Sequence, residues 1–185
     1  VPGQSNVLEY ITIDTTGDST NFGDLPRSGT FSLKGSCASS TRGIFAGGKG
    51  PDTNQIDFIT ITTTGDAQDF GDLLSATAEG SGCSNTTRGL FMSGSGPLND
   101  EIIEYITIAT TGNSADFGDL SQSTEAAGCC ASSTRGLAAG GTTPTKVNTI
   151  EFVTIATLGN ATDFGDRVVT GYGVGGLSDV HGGLG

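Results

Sequence analysis

The chain has 185 residues, 31 of them glycine, and its 8 Lys and Arg against 20 Asp and Glu leave a formal net charge of -12. A chain this acidic repels a phosphate backbone or an anionic lipid surface, which argues against nucleic-acid binding and peripheral membrane attachment. Its length suits one ordinary domain, and no apolar run approaches the roughly 18 residues of a membrane-spanning helix. The N-terminus does not read as a signal peptide, and a first residue of Val1 rather than Met points to a processed chain or a fragment. Gly, Thr and Ser dominate over the helix formers, and apolar residues arrive in short Ile/Thr/Phe runs, so the expected elements are many short strands.

In chain order, a Pro/Gly loop (Val1-Pro2-Gly3) precedes an acidic-aromatic strand, Glu9-Tyr10-Ile11-Thr12-Ile13. A Gly17-Asp18 turn follows, then a short strand ending in Phe22-Gly23-Asp24, its expected hairpin partner. Next come a stretch of small residues, the triplet Thr41-Arg42-Gly43, an apolar strand closing on Gly47-Gly48, and the loop Gly50-Pro51. The series then starts again. Phe-Gly-Asp recurs at Phe70, Phe117 and Phe164, at spacings of 48, 47 and 47, and Thr-Arg-Gly recurs around Arg88 and Arg135. The acidic-aromatic strand recurs with Asp57-Phe58, Glu104-Tyr105 and Glu151-Phe152, and the turn with Gly65-Asp66, Gly112-Asn113 and Gly159-Asn160.

A fixed period of this kind is the signature of a repeat architecture. In the second period, the segment 55–62 is apolar on both faces, with Ile56 and Phe58 on one and Ile59 and Ile61 on the other, so it belongs between two layers. The small residues of 75–84 suit a crowded innermost strand, and 88–93 reads as an apolar second strand. Four strands in about 47 residues describe one blade of an all-β propeller. A β-solenoid has coils too short for this period, and independent small sheets would lack a core. The expectation is a single domain over 1–185, in units of about 1–50, 51–97, 98–145 and 146–185. Because the chain starts before a third strand and stops early in a second, its two ends would share a fourth blade and close the ring. A longer parent with more blades is the competing reading.

The order of small inner strand, apolar strand ending in Gly-Gly (Gly47-Gly48, Gly140-Gly141), acidic-aromatic strand and last-strand aromatic resembles the kelch repeat. It departs from that pattern in carrying Phe22, Phe70, Phe117 and Phe164 where kelch repeats have tryptophan. Residues 105–120 and 132–136 are similar to propeller-like repeats of virion structural and tail-associated proteins in phages of marine cyanobacteria. That resemblance implies a non-enzymatic virion or extracellular module, tail- or fibre-associated. Its partners would be other virion or surface-assembly proteins within a homo- or hetero-oligomer, and host-surface glycans are a further candidate ligand. A secreted or surface lectin-like adhesin is the alternative, and a propeller enzyme a more remote one.

Arg42, Arg88 and Arg135 sit at one repeat position and Glu9, Asp57, Glu104 and Glu151 at another. A guanidinium meeting a carboxylate between strands or blades is the expected structural pair, with an arginine ring offered to an anion as the functional alternative. Asp24, Asp72, Asp119 and Asp166 follow the outer-strand glycine, where their carboxylates are expected to accept turn hydrogen bonds. Cys37, Cys83 and Cys130 lie five residues before the repeated arginine, with Leu177 in that place in the last unit and Cys129 additional. They lack Cys-x-x-Cys spacing and read as small core residues rather than zinc ligands, and no metal or other cofactor is expected.

Catalysis finds little in the chain. His181 is its one histidine, near the C-terminus, so a nucleophile has no well-placed base. The segments that differ most between units are the loops before the third strand, at 1–6, 49–54, 95–100 and 142–148. Their polar residues Lys49, Asp52, Asn54, Asn99, Asp100, Thr143 and Lys146 are the candidate binding residues, since scaffolds repeat while loop tips specialise.

Overall fold

The computed structural model describes residues 5–27, 32–97 and 101–178. The chain is all-β there, with 14 strands in four antiparallel sheets and an additional two-stranded ribbon. β1 (Val7–Tyr10) pairs with β2 (Thr20–Asp24) in a two-stranded sheet. Unit 1 is the meander β3 (Gly35–Ala38), β4 (Arg42–Gly48), β5 (Thr53–Thr60), β6 (Gln68–Asp72). Unit 2 repeats it with β7 (Ser81–Ser84), β8 (Arg88–Met92), β9 (Ile102–Thr107) and β10 (Ala115–Asp119). Unit 3 uses β11 (Gly128–Ala131), β12 (Arg135–Ala139), β15 (Thr149–Thr154) and β16 (Thr162–Asp166). The ribbon β13 (Thr142–Thr143) with β14 (Thr145–Lys146) fills its middle loop.

The short first strands β3, β7 and β11 lie side by side, and small residues make this approach possible. A Cβ on Gly82 would come within 2.5 Å of the Ser36 carbonyl. The expected small-residue strand over 75–84 is confined to Ser81–Ser84, and the residues before it form the connection from one unit to the next. The apolar core lies between units. One cluster joins Ile44, Ile56, Phe58 and Phe70 of unit 1 to Phe91, Ile106 and Ile108 of unit 2. The second joins Leu90, Met92, Ile103 and Phe117 of unit 2 to Ala138, Val153 and Ile155 of unit 3. A sheet of four short strands buries too little surface alone, so each depends on its neighbour.

Phe-Gly-Asp is a β-bulge. In the pairing of β5 with β6, Ile56 faces Gly71 and Asp57 faces Asp69, which leaves Phe70 as the extra residue. The register shifts in the same way at Phe22, Phe117 and Phe164. Each bulged Phe meets the aromatic of its partner strand edge to face, with ring centroids 5.9–6.1 Å apart.

The fourth unit expected from the two chain ends is not assembled among the described residues. β1–β2 packs on unit 1 as a third and fourth strand would. The 175–178 segment lies against β11 as a first strand would, with the Ser178 hydroxyl accepting the Ala131 N–H at 2.7 Å. Within the repeat, Ser84 bonds Ala38 in the same way. Residues 175–178 nonetheless form no strand.

Candidate interaction surfaces

The repeated polar residues hold the units together along a common seam. At its outer edge the Gly-Asp/Asn turn of one unit docks on the Phe-Gly-Asp bulge of the unit before. Gly65 N–H donates to the Phe22 carbonyl at 2.7 Å, Gly112 to Phe70 at 2.7 Å and Gly159 to Phe117 at 2.8 Å. The turn side chains Asp66, Asn113 and Asn160 accept the N–H of Asp24, Asp72 and Asp119 at 3.0–3.1 Å. The Phe-Gly-Asp aspartates therefore enter the seam through their main chain, as donors, and the accepting side chain comes from the next unit. This corrects the expectation that their own carboxylates cap the turn. The bulge glycine is required: Gly71 has φ of 150° and a Cβ there would overlap the Gly112 carbonyl.

Two of the three repeated arginines, Arg42 and Arg88, also cross the seam, and none of the three meets the repeated carboxylates. Arg42 lies 4.5 Å over the Phe58 ring and donates to the Ile108 carbonyl of the next unit at 2.9 Å. Arg88 does the same with Tyr105, at 5.0 Å, and Ile155, at 2.7 Å. Arg135 lies 4.4 Å over Phe152 and is otherwise exposed.

The repeated carboxylates Asp57, Glu104 and Glu151 are buried, and they receive the chain as it enters each unit. Glu104 accepts the Leu74 N–H at 2.8 Å and the Ser114 hydroxyl, and pairs with the buried Lys34. Glu151 accepts the Ser121 N–H at 3.0 Å. Asp57 lies 3.0 Å from an Arg27 terminal nitrogen, but the two are poorly aligned for a hydrogen bond. Burial raises the Asp57 pKa above the usual carboxylate range, against the opposing pull of Arg27 and Gln55. Glu9, at the same repeat position, is exposed. The arginine and carboxylate partners were invisible in the sequence because each lies in a different unit; the period itself was the available signal.

Cysteines fill the inner seam. A Cβ on Gly89 would come within 2.5 Å of the Cys37 sulfur, and one on Gly136 within 3.2 Å of the Cys83 sulfur. The glycine of Thr-Arg-Gly thus makes room for the thiol of the preceding unit. All four cysteines are free; Cys83 and Cys129 are buried, and Cys37 and Cys130 half-buried. Desolvation pushes the Cys37 and Cys129 thiols up to about 12 and Cys83 well above the ordinary value of 9.0. Cys37, Cys83 and Cys129, together with Gly43, Phe45 and Leu177, line a cavity of about 440 Å³ between the first strands.

The candidate loop residues divide by role. Asn54 is a structural clamp: its carbonyl accepts the Leu73 N–H at 2.7 Å and its amide reaches the Leu73 carbonyl. Asn6 and Asn148 clamp Leu25 and Arg167 in the same manner. Lys49 pairs with Glu79 at 2.9 Å, and this hydrogen bond, helped by Asp52 and Glu125, raises the lysine pKa. Asp52 is exposed, and Lys146 projects from its ribbon 5.0 Å over Tyr172. Thr143 belongs to the same ribbon. Asn99, Asp100 and His181 lie outside the described residues. No protein-family model matches the chain, and no match was found among curated proteins.

Proposed function

We propose that the chain is a kelch-like β-propeller module, its units being blades, that works without catalysis through protein contacts in a virion or extracellular assembly. A tail- or fibre-associated position fits the resemblance of its repeats, with host-surface glycans as the ligand class for the variable loops. One observation carries the reading. Most of the repeated polar residues are engaged in the scaffold: Arg42, Arg88, Glu104 and Glu151 bond across a seam and Asn54 clamps its own unit, whereas Asp52 and Lys146 vary between units and are exposed, and Lys49 is half-exposed in its pair with Glu79. Specificity on such a scaffold belongs to the loops.

The test is a glycan array probed with the intact chain and with a Lys49→Ala, Asp52→Ala, Lys146→Ala variant. Glycan binding that the variant loses at unchanged melting temperature supports the ligand class. Silence on arrays combined with co-purification with particles leaves protein contact as the whole function. Turnover of any bound sugar would overturn the non-catalytic reading.

A further inference from the structure

The seam between units joins two unlike halves, and each end of the row of units presents one of them unmatched. On the C-terminal face, Phe164-Gly165-Asp166 repeats the bulge that receives the next unit's turn elsewhere. Phe164 is 54 % exposed, against 8 %, 3 % and 2 % for Phe22, Phe70 and Phe117. A Cβ on Gly165 would meet nothing within 4 Å, while its counterparts Gly23, Gly71 and Gly118 lie against the following turn. On the N-terminal face, Gly17-Asp18 is the same dipeptide as Gly65-Asp66, which docks on Phe22-Gly23-Asp24, but among the described residues Gly17 makes no such bond to a bulge.

Two further contacts are matched in kind. Arg42 and Arg88 each donate to an isoleucine carbonyl of the following unit; Arg135 is the donor left over, and Ile13 occupies the equivalent acceptor position. Ile13 is 92 % exposed, whereas Ile108 and Ile155 are buried. Glu104 and Glu151 accept the N–H of Leu74 and Ser121; one period on, Val168 and Glu9 are the exposed counterparts. The N-terminal face is thus complementary to the C-terminal one in main chain, carboxylate, guanidinium and apolar surface.

From this we infer that the C-terminal face of one chain docks on the N-terminal face of a second copy, head to tail, through a fourth instance of the internal seam. This goes beyond the proposed function and does not depend on it. Within one chain the two faces are not in contact, since Phe164 and Ile13 are exposed and a Cβ on Gly165 would meet nothing within 4 Å. The acidic turn is no obstacle, because Asp66 already docks against Asp24. A contact between unlike faces is heterologous: it yields a ring where the rotation closes and a filament where it does not.

Sedimentation velocity of the chain from low micromolar to near-millimolar concentration tests the inference. Mass should rise with concentration in multiples of the chain. Val168→Asp, which sets a like charge opposite Glu9, and Ile13→Asp should each weaken association at least tenfold while leaving the melting temperature of dilute protein unchanged, since both side chains are fully exposed within one chain. Mixed together, the two variants should recover a species of two chains and no larger, since one live face of each remains. A chain that stays monomeric throughout, or variants that fail to complement, overturns the proposal. A monomer whose dilute melting temperature falls with Ile13→Asp would assign the seam to closure within one chain instead.

Discussion

Substituting Gly118 by alanine probes the seam most directly. Its φ of 145° lies where an L-residue is strained, which costs about 1–3 kcal/mol. The new Cβ would also overlap the Gly159 carbonyl. Relieving that overlap pushes the turn away and weakens three bonds: Gly159 N–H to Phe117 at 2.8 Å, Ala161 N–H to Asp119 at 2.7 Å, and Asp119 N–H to Asn160 at 3.1 Å. At about 0.5–1.5 kcal/mol each, losing two of them brings the total to about 2–6 kcal/mol. For a chain of this length that is a fall in melting temperature on the order of 10 °C. Gly165→Ala is the internal control, with φ of 138° in the same bulge and no neighbour at the Cβ, so only the strain of about 1–3 kcal/mol remains. Thermal unfolding of both variants by circular dichroism, in dilute protein, gives the comparison. Equal losses would refute the argument, since the seam would then contribute nothing beyond backbone strain.

Other expectations can be checked with the same assay. Arg88→Ala removes both the stack on Tyr105 and the bond to Ile155 and should cost about 1.5–3 kcal/mol, whereas Arg135→Ala, exposed and stacked only, should cost under about 1 kcal/mol. The thiol pKa values are raised on folding, so the cysteines' contribution is complete below pH 9.0 and is lost as pH rises towards the folded values of about 12. Stability should therefore fall above pH 9 by about 1.4 kcal/mol per pH unit for each buried thiol, and Cys83→Ala should flatten that slope in denaturant titrations. Asp57 is also raised on folding, above 3.8, so its contribution is greatest below that pH and declines as pH rises through the folded value. Asp57→Asn should consequently gain stability relative to the parent chain between strongly acidic and neutral pH; a gap that closes over this range would contradict the burial argument.

Local chemistry was legible in the linear chain. The recurrence of Phe-Gly-Asp, Thr-Arg-Gly and the acidic-aromatic strand was enough to place four strands in each period and to pair the third with the fourth, because hairpin pairing is set by adjacent residues and turn type. The glycine of Phe-Gly-Asp recurs in every period, but the reason for it lies outside the linear chain: the bulge and the neighbouring carbonyl both exclude a side chain. The loop residues were harder to judge. Asn54 looked like a loop-tip ligand and is a clamp, because its partner Leu73 lies at the end of the hairpin strand.

Repetition in the sequence by itself determined the unit, its strand order and the small-residue inner strand. Tertiary structure decided which repeated residues meet. Arg42 and Glu104 are each satisfied by main-chain groups in a neighbouring unit, a choice that no spacing within one period could express, because main-chain donors and acceptors look alike at every residue. It also decided that the same seam is matched inside the row and left unmatched at both ends, which turns a -12 charge spread over repeating units into a chain with two complementary faces.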